Sequence, residues 1–203
     1  MAEIGLFPLG IVLLPTERVP LHIFEDRYKE LVGLCLANDD EFGLVYADDD
    51  GIRDVGTRAA VIEVLTQFDD GRLNIVVEGR ERFRLVELTS GQSFHTGDVA
   101  MLDDEDDPAS GETIANALAL FGRLRELAAS DVEMPSPEDA QLSFSIAGHV
   151  ELADELKLEL LAETSERARL ERLCEFLDDA VEALRIRRRA TERSATNGRV
   201  DLG

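Results

Sequence analysis

The amino-acid sequence predicts an α+β protein in which an antiparallel, barrel-like β-sheet with one early helix precedes a C-terminal α-helical bundle. Three observations support this class. Short strand-like segments separated by turn residues fill the first half of the chain. A single helix-like segment interrupts them near the N-terminus. Beyond an acidic stretch, the apolar residues change from a period of two to a period of about 3.6.

The strand-like half begins with a short apolar strand at 4–7, and a charged helix is expected at 25–37. Further strands are expected in FGLVYA from Phe42, AAVIEVLTQF from Ala59, RLNIVVEGRERFRLVEL from Arg72, and FHTGDVAML from Phe94. Consecutive short strands with so little helix between them favour an antiparallel sheet that curls into a barrel.

Turn residues separate these strands. The run DDDG at 48–51 and the pair Asp70-Gly71 each lie between two strand-like segments, and Asp-Gly with alternating apolar flanks is a strong hairpin signal. Gly79 interrupts the longest strand-like run. A glycine inside a strand predicts a β-bulge or a bend of the sheet.

The helical half follows the sequence DDEDDPASG. We assign 1–102 to the β-subdomain, 103–111 to a solvated acidic linker, 112–190 to a helical bundle and 191–203 to a flexible tail without an apolar period. Residues with helical spacing mark the first and last helices of the bundle: Ile114, Leu118, Phe121, Leu124, Leu127, Leu170, Leu173, Leu177, Val181 and Leu184.

The composition narrows the classes of partner. The net charge is −22, so a nucleic acid or an anionic membrane would be repelled over most of the surface. The N-terminus resembles neither a signal peptide nor a membrane anchor, because Glu3 stands where a signal peptide carries positive charge and several prolines interrupt the apolar runs. Cys35 and Cys174 lack metal-binding spacing and are expected to be buried free thiols. These features favour a cytoplasmic protein that binds neither nucleic acid nor membrane.

Four segments in a fixed order carry a family resemblance: FPLGIVLLPTERVPLHIFEDRYKELV, VGTRAAVIEV, GRLNIVVEGRERFRLVEL and LADELKLELLAETSERARLERL. Together they span nearly the whole chain, which resembles the N-terminal substrate-binding domain of Lon proteases in its standalone bacterial form. The resemblance implies a PUA-like β pseudo-barrel followed by a helical bundle. It also implies that the chain binds protein substrates.

Catalytic motifs are not found in the sequence. A phosphate-binding loop ends in Lys-Ser or Lys-Thr, but neither Lys29 nor Lys157 precedes such a residue. Both lysines lie in segments that match the substrate-binding domain, so the Ser-Lys dyad of the Lon peptidase is not carried over. His22, His95 and His149 are isolated, so no metal site is expected. We expect no catalytic residue, no cofactor and no enzymatic activity.

We therefore interpret the chain as a non-catalytic module that recognises flexible peptide segments or a protein partner, as an adaptor or a chaperone-like binder in protein quality control. Two alternatives remain open at this point. PUA-like barrels elsewhere bind RNA, although the charge of −22 opposes this. The other alternative is an uncharacterised hydrolase.

The candidate binding surface is the stretch from Leu13 to Phe24. Pro15 and Pro20 cannot donate hydrogen bonds to a sheet, and the apolar residues around them are close enough to share one exposed surface. The predicted peptide-binding residues are Leu13, Leu14, Arg18, Val19, Leu21, Phe24 and Arg27. The alternative is that 11–14 fills the interior of the barrel.

Overall fold

The structure, a computed structural model, describes the backbone of residues 2–197 and the side chains of residues 2–190. It divides into two compact units. The first contains Met1–Glu105 and Ala147–Thr164, and the second contains Asp106–Ile146 and the chain from Ser165 onward. No helix in the described part of the chain has the length and apolar character needed to cross a membrane.

The strands and helices follow the predicted order along the chain. The strands are β1 (Ala2–Leu9), β2 (Arg18–Ile23), β3 (Phe42–Asp48), β4 (Gly51–Gln67), β5 (Leu73–Thr89) and β6 (His95–Met101). The helices are α1 (Asp26–Asn38), α2 (Gly111–Ala128), α3 (Leu142–Ala147), α4 (Asp154–Ala162) and α5 (Glu166–Asn197). This content agrees with the predicted α+β class.

All six strands form one sheet with the order β2-β5-β4-β3-β1-β6, and β6 also pairs with β5. The pairings therefore close a ring through five strands, with β2 outside it on β5. The sheet is mixed: β1 and β3 run parallel, whereas the prediction was an antiparallel sheet. The prediction is wrong at this pair because β2 and α1 lie between the two strands in sequence, which provides the long crossover that a parallel pair needs.

The predicted turns are confirmed. Gly51 and Gly71 have φ values of 114° and 83°, which side chains disfavour; Gly51 is the first residue of β4 after the turn from β3, and Gly71 lies between β4 and β5. The irregularity predicted at Gly79 is also present. The register between β4 and β5 shifts between Thr57 and Ala59, and Ala59 is the residue paired with Gly79.

The main core of the first unit lies between α1 and the sheet. Tyr28, Leu31, Val32 and Cys35 are buried at the helical spacing of i, i+3, i+4 and i+7. Phe7 of β1 stacks on Tyr28 with ring centroids 3.9 Å apart. Both cysteines of the chain, Cys35 and Cys174, are buried and free, as the sequence predicts.

In the second unit, α2 packs against α5. Both helices begin at a serine cap: Ser110 Oγ accepts from the Thr113 N–H (3.1 Å), and Ser165 Oγ accepts from the Ala168 N–H (3.0 Å). The helical backbone of α5 continues to Asn197, so 191–197 is helical although the sequence places it in a flexible tail. The remainder of that predicted tail, 198–203, lies outside the described residues.

The structure groups α4 with the sheet, whereas the sequence analysis places 112–190 in one bundle. The buried guanidinium of Arg82 on β5 accounts for the difference, because it donates to the carbonyl oxygens of Leu161 and Glu163, both at 2.7 Å. It also pairs with Asp104. That bond, and the one from Ser165 to Asp107, show that the 103–111 segment is partly anchored and not a purely solvated linker.

Candidate functional site

Residues 12–17, which we call the docked segment, form the first part of the predicted binding stretch. Leu13 is 1% exposed and Leu14 is 0% exposed. Leu13 belongs to the main core cluster of the first unit, and its carbonyl accepts from Thr57 Oγ1 at 2.6 Å. The expectation that these two leucines are exposed is therefore wrong, and the alternative that they fill the interior is supported.

The backbone of the docked segment lies against Gly79 of β5. The Thr16 N–H donates to the Gly79 carbonyl (2.8 Å), and the Gly79 N–H donates to the Glu17 carbonyl (2.9 Å). A Cβ on Gly79 would lie only 2.1 Å from the Leu14 carbonyl oxygen. The irregularity at Gly79 therefore provides the space and the hydrogen bonds that hold the segment in place.

An ion pair completes this anchoring. One carboxylate oxygen of Glu17 accepts from the Leu14 N–H at 2.9 Å, and the other pairs with Lys157 Nζ of α4 at 2.5 Å. Lys157 also donates to the Val12 carbonyl at 3.4 Å. The docked segment is thus bonded at both ends and in the middle, and it is not available to a ligand.

The second part of the predicted stretch is β2, the edge strand of the sheet. Its side chains alternate: Arg18, Pro20 and His22 are exposed, whereas Val19 and Leu21 are half-buried and pack against the main core. Proline lacks an N–H and is tolerated in sheets on edge strands, so its presence suits this position. The structure therefore places β2 at the surface with one apolar side turned inward.

The two arginines predicted to anchor a ligand already have partners. Arg18 Nε pairs with Glu78 at 2.7 Å, and Arg27 pairs with Glu25 at 2.8 Å while its guanidinium lies 4.5 Å from the centre of the Tyr28 ring. Phe24, at 59% exposure, is the most exposed of the predicted apolar site residues.

Phe24 is the end of a continuous row of rings. His22 stacks on Phe24 with centroids 5.8 Å apart, and Phe68 meets His22 edge-on at 6.3 Å. The Arg72 guanidinium lies 5.0 Å from the centre of the Phe68 ring. Sequence reasoning missed His22, Phe68 and Arg72 as site residues. The hairpin signal at Asp70-Gly71 could have placed Phe68 near Arg72, but not near β2.

Exposed aliphatic side chains lie in the part of the sheet where β5 pairs with β2 on one side and with β4 on the other. From residue 60 onward β4 pairs with β5 but no longer with β3, and Ile62, Val64 and Leu65 are exposed there. Val64 pairs with Ile75, which in turn pairs with Leu21 of β2, and both of these side chains face the main core, so Val64 does not share the face of the sheet that carries His22. We define the edge surface by the exposed residues His22, Phe24, Ile62 and Leu65 together with the half-buried Phe68.

Neither cysteine thiol has the lowered pKa of an activated nucleophile. Burial, with smaller effects from Asp40 and Glu41, raises the pKa of the Cys35 thiol to about 11. Burial likewise raises the pKa of Cys174. Both thiols are therefore protonated at neutral pH, the less reactive form. Among the described residues, no three His, Cys, Asp or Glu side chains are grouped as metal ligands would be.

The fold is that of Lon N-terminal domains. The structure is similar to the Lon N-terminal domain protein from Xanthomonas campestris, with 27% identity, a TM-score of 0.68, and coverage of 85% of this chain and 97% of that one. It has the same fold as the N-terminal domain of the Mycobacterium avium complex Lon protease (18% identity, TM-score 0.68, 88% of this chain and 99% of that one).

Residues 3–179 match the family model of the ATP-dependent protease La (LON) substrate-binding domain, and the chain belongs to this family. Its relatives include the Lon protease of Halothermothrix orenii, 26% identical over 87% of this chain, and that of Paraburkholderia phytofirmans, 26% identical over 94%. The chain spans about a quarter of the length of these proteases, 25% in both cases.

Proposed function

We propose that this protein is a non-catalytic recognition module that captures extended peptide segments of other proteins at the edge surface. The observation that carries the proposal is the exposure of His22 and Phe24, directly after a buried apolar segment of similar composition. A contiguous exposed apolar surface framed by polar groups is typical of interaction sites. Membership of a substrate-binding family supports the same reading.

The edge of β2 would contribute backbone hydrogen bonds to such a ligand. Pro20 has no N–H and pairs with Val76, so we infer that its position is one whose backbone groups point away from β5. Arg18 and His22, two residues to either side, then share that direction. A peptide added here would find donors only at those two residues, so side-chain contacts with the edge surface would supply most of the affinity.

We further propose that the module acts as an adaptor or chaperone-like binder in the cytoplasm, with a PUA-like barrel as its framework. Purified protein is then expected to show neither ATP hydrolysis nor peptide cleavage. Turnover that survives repeated purification, and that is lost when one named residue is changed, would overturn the non-catalytic part of this proposal.

The binding proposal is tested with Phe24→Ser and a matched control, Leu88→Ser. Both side chains are about half exposed, at 59% and 50%, but Leu88 lies on β5 outside the edge surface. We expect Phe24→Ser to weaken binding of a labelled, permanently unfolded protein by about 1 to 3 kcal/mol. Fluorescence anisotropy gives the affinities. Equal losses in both variants, or none in either, would contradict the proposal.

A further inference from the structure

The cations around the edge surface are already neutralised by the protein's own carboxylates. Besides Arg18 and Arg27, whose partners are Glu78 and Glu25, two more cations flank this surface. Lys29 Nζ pairs with Asp26 at 3.0 Å, and Arg72 Nε pairs with Asp70 at 2.7 Å. An incoming carboxylate would therefore have to compete with one of the protein's own carboxylates at each of these four cations.

The carboxylates of the same region are more available. Glu63 pairs across the sheet with Val76, the neighbour of Pro20, and Asp69 directly follows Phe68. Both are exposed, and within the described part of the chain neither has an ion-pair partner. The Asp26 side chain is 99% exposed even though it contacts Lys29. The apolar surface thus has accessible negative charge along its border and no unpaired positive charge among the residues named above.

From this arrangement we propose that the ligand of the edge surface is a basic and apolar peptide segment, with Lys or Arg residues flanking aliphatic or aromatic ones. The inference rests on the proposed function and specifies its substrate class. Apolar side chains of the ligand contact the aromatic row and the exposed part of β4, while its cations lie near Glu63 and Asp69. The net charge of −22 attracts such segments from a distance and repels acidic ones.

Three labelled peptides with one shared apolar sequence and flanking Lys, Gln or Asp residues test the inference. At about 50 mM salt we expect the Lys peptide to bind about tenfold more tightly than the Gln peptide, and the Asp peptide to bind more weakly than both. Salt screens exposed charges, so the preference should fall below about threefold at 500 mM. Fluorescence anisotropy measures all three affinities.

The double variant E63Q/D69N locates the charges. It should lower the preference for the Lys peptide by about three- to fivefold and leave the affinity for the Gln peptide unchanged. The control D49N/E151Q removes the same charge from exposed positions outside the edge surface. A loss of preference as large in the control as in E63Q/D69N would overturn the role of Glu63 and Asp69.

The inference and the proposed function fail in different ways. If all three peptides bind equally and without salt dependence, or if the Asp peptide binds best, the basic substrate class is wrong and peptide capture stands. If no peptide binds, not even the Gln peptide at high concentration, the proposed function itself fails.

Discussion

The docked segment at 12–17 and the edge strand β2 are consecutive in sequence and similar in composition, yet the structure treats them in opposite ways. Each contains a proline and several aliphatic residues. Pro15 is buried, whereas Pro20 is exposed. The boundary falls between Glu17, whose carboxylate is bonded on both oxygens inside the first unit, and Arg18, whose side chain is 67% exposed.

The difference shows that apolar composition does not decide exposure by itself. The docked segment is held by groups that are distant in sequence: the Gly79 backbone, the Thr57 hydroxyl and the Lys157 ammonium. Among the described strands the backbone of β2 pairs with β5 alone, which leaves the other edge of β2 open. Because buried backbone groups need hydrogen-bond partners, the segment that finds them becomes core and the next one becomes surface.

The largest effect is expected from Leu14→Ala in the docked segment. Leu14 is fully buried, so the change removes buried apolar surface and leaves a cavity. We expect the free energy of unfolding to fall by about 2 to 5 kcal/mol. Urea denaturation followed by circular dichroism measures this loss. A loss below about 0.5 kcal/mol would mean that the segment is not part of the core.

Lys157→Met tests the ion pair that closes the docked segment. The side chains of Lys157 and Glu17 are only 13% and 12% exposed, so the variant leaves a mostly buried carboxylate without its cation. We expect a loss of about 2 to 4 kcal/mol. The double variant K157M/E17Q should be more stable than K157M, since its uncharged amide still accepts from the Leu14 N–H. Equal stability of the two would contradict this explanation.

Gly79→Ala tests the space beneath the docked segment. The added methyl group would lie 2.1 Å from the Leu14 carbonyl oxygen, so either β5 or the segment must move. We expect a loss of about 1 to 3 kcal/mol. Gly33→Ala is the control, because a Cβ there meets nothing within 4 Å and alanine favours α1 by about 0.5 to 1 kcal/mol. Similar effects at both glycines would refute the steric argument.

Much of the fold could be predicted because local signals determine it. Strand periodicity, Gly51, Gly71 and the serine before α5 each act through neighbouring residues. The parallel pairing of β1 with β3 and the grouping of α4 with the sheet could not be predicted in this way. They depend on contacts between distant segments, such as the bonds from Arg82 to the end of α4.

The candidate site was predicted less well, for the same reason. Phe24 is exposed as expected, but Leu13 and Leu14 are core: Thr57 donates to the Leu13 carbonyl, and Gly79 holds the neighbouring residues Thr16 and Glu17. The aromatic row joins His22 on β2 to Phe68 after β4, across the intervening strand β5. No sequence pattern links these two rings, since their proximity arises from sheet order alone.

The smallest effect is expected from Arg18→Gln in β2. Like Lys157→Met, it removes a cation that pairs with a mostly buried glutamate, but here the cation belongs to the exposed edge strand. Arg18 is 67% exposed, and its partner Glu78 is only 13% exposed. The loss of Arg18 would therefore seem costly for Glu78, but Arg80 also pairs with that carboxylate at 2.7 Å. Since Glu78 keeps one cation, we expect unfolding to become easier by no more than about 0.5 to 1 kcal/mol.

Thermal and urea unfolding of Arg18→Gln, Arg80→Gln and the double variant measure how the two arginines share Glu78. Each single change should be nearly silent, and the double change should cost more than the sum of the two, because only then is the mostly buried carboxylate left without a cation. A single Arg18 change as costly as Lys157→Met would show that β2 is held as firmly as the docked segment. The distinction between a buried anchor and an open edge would then be lost.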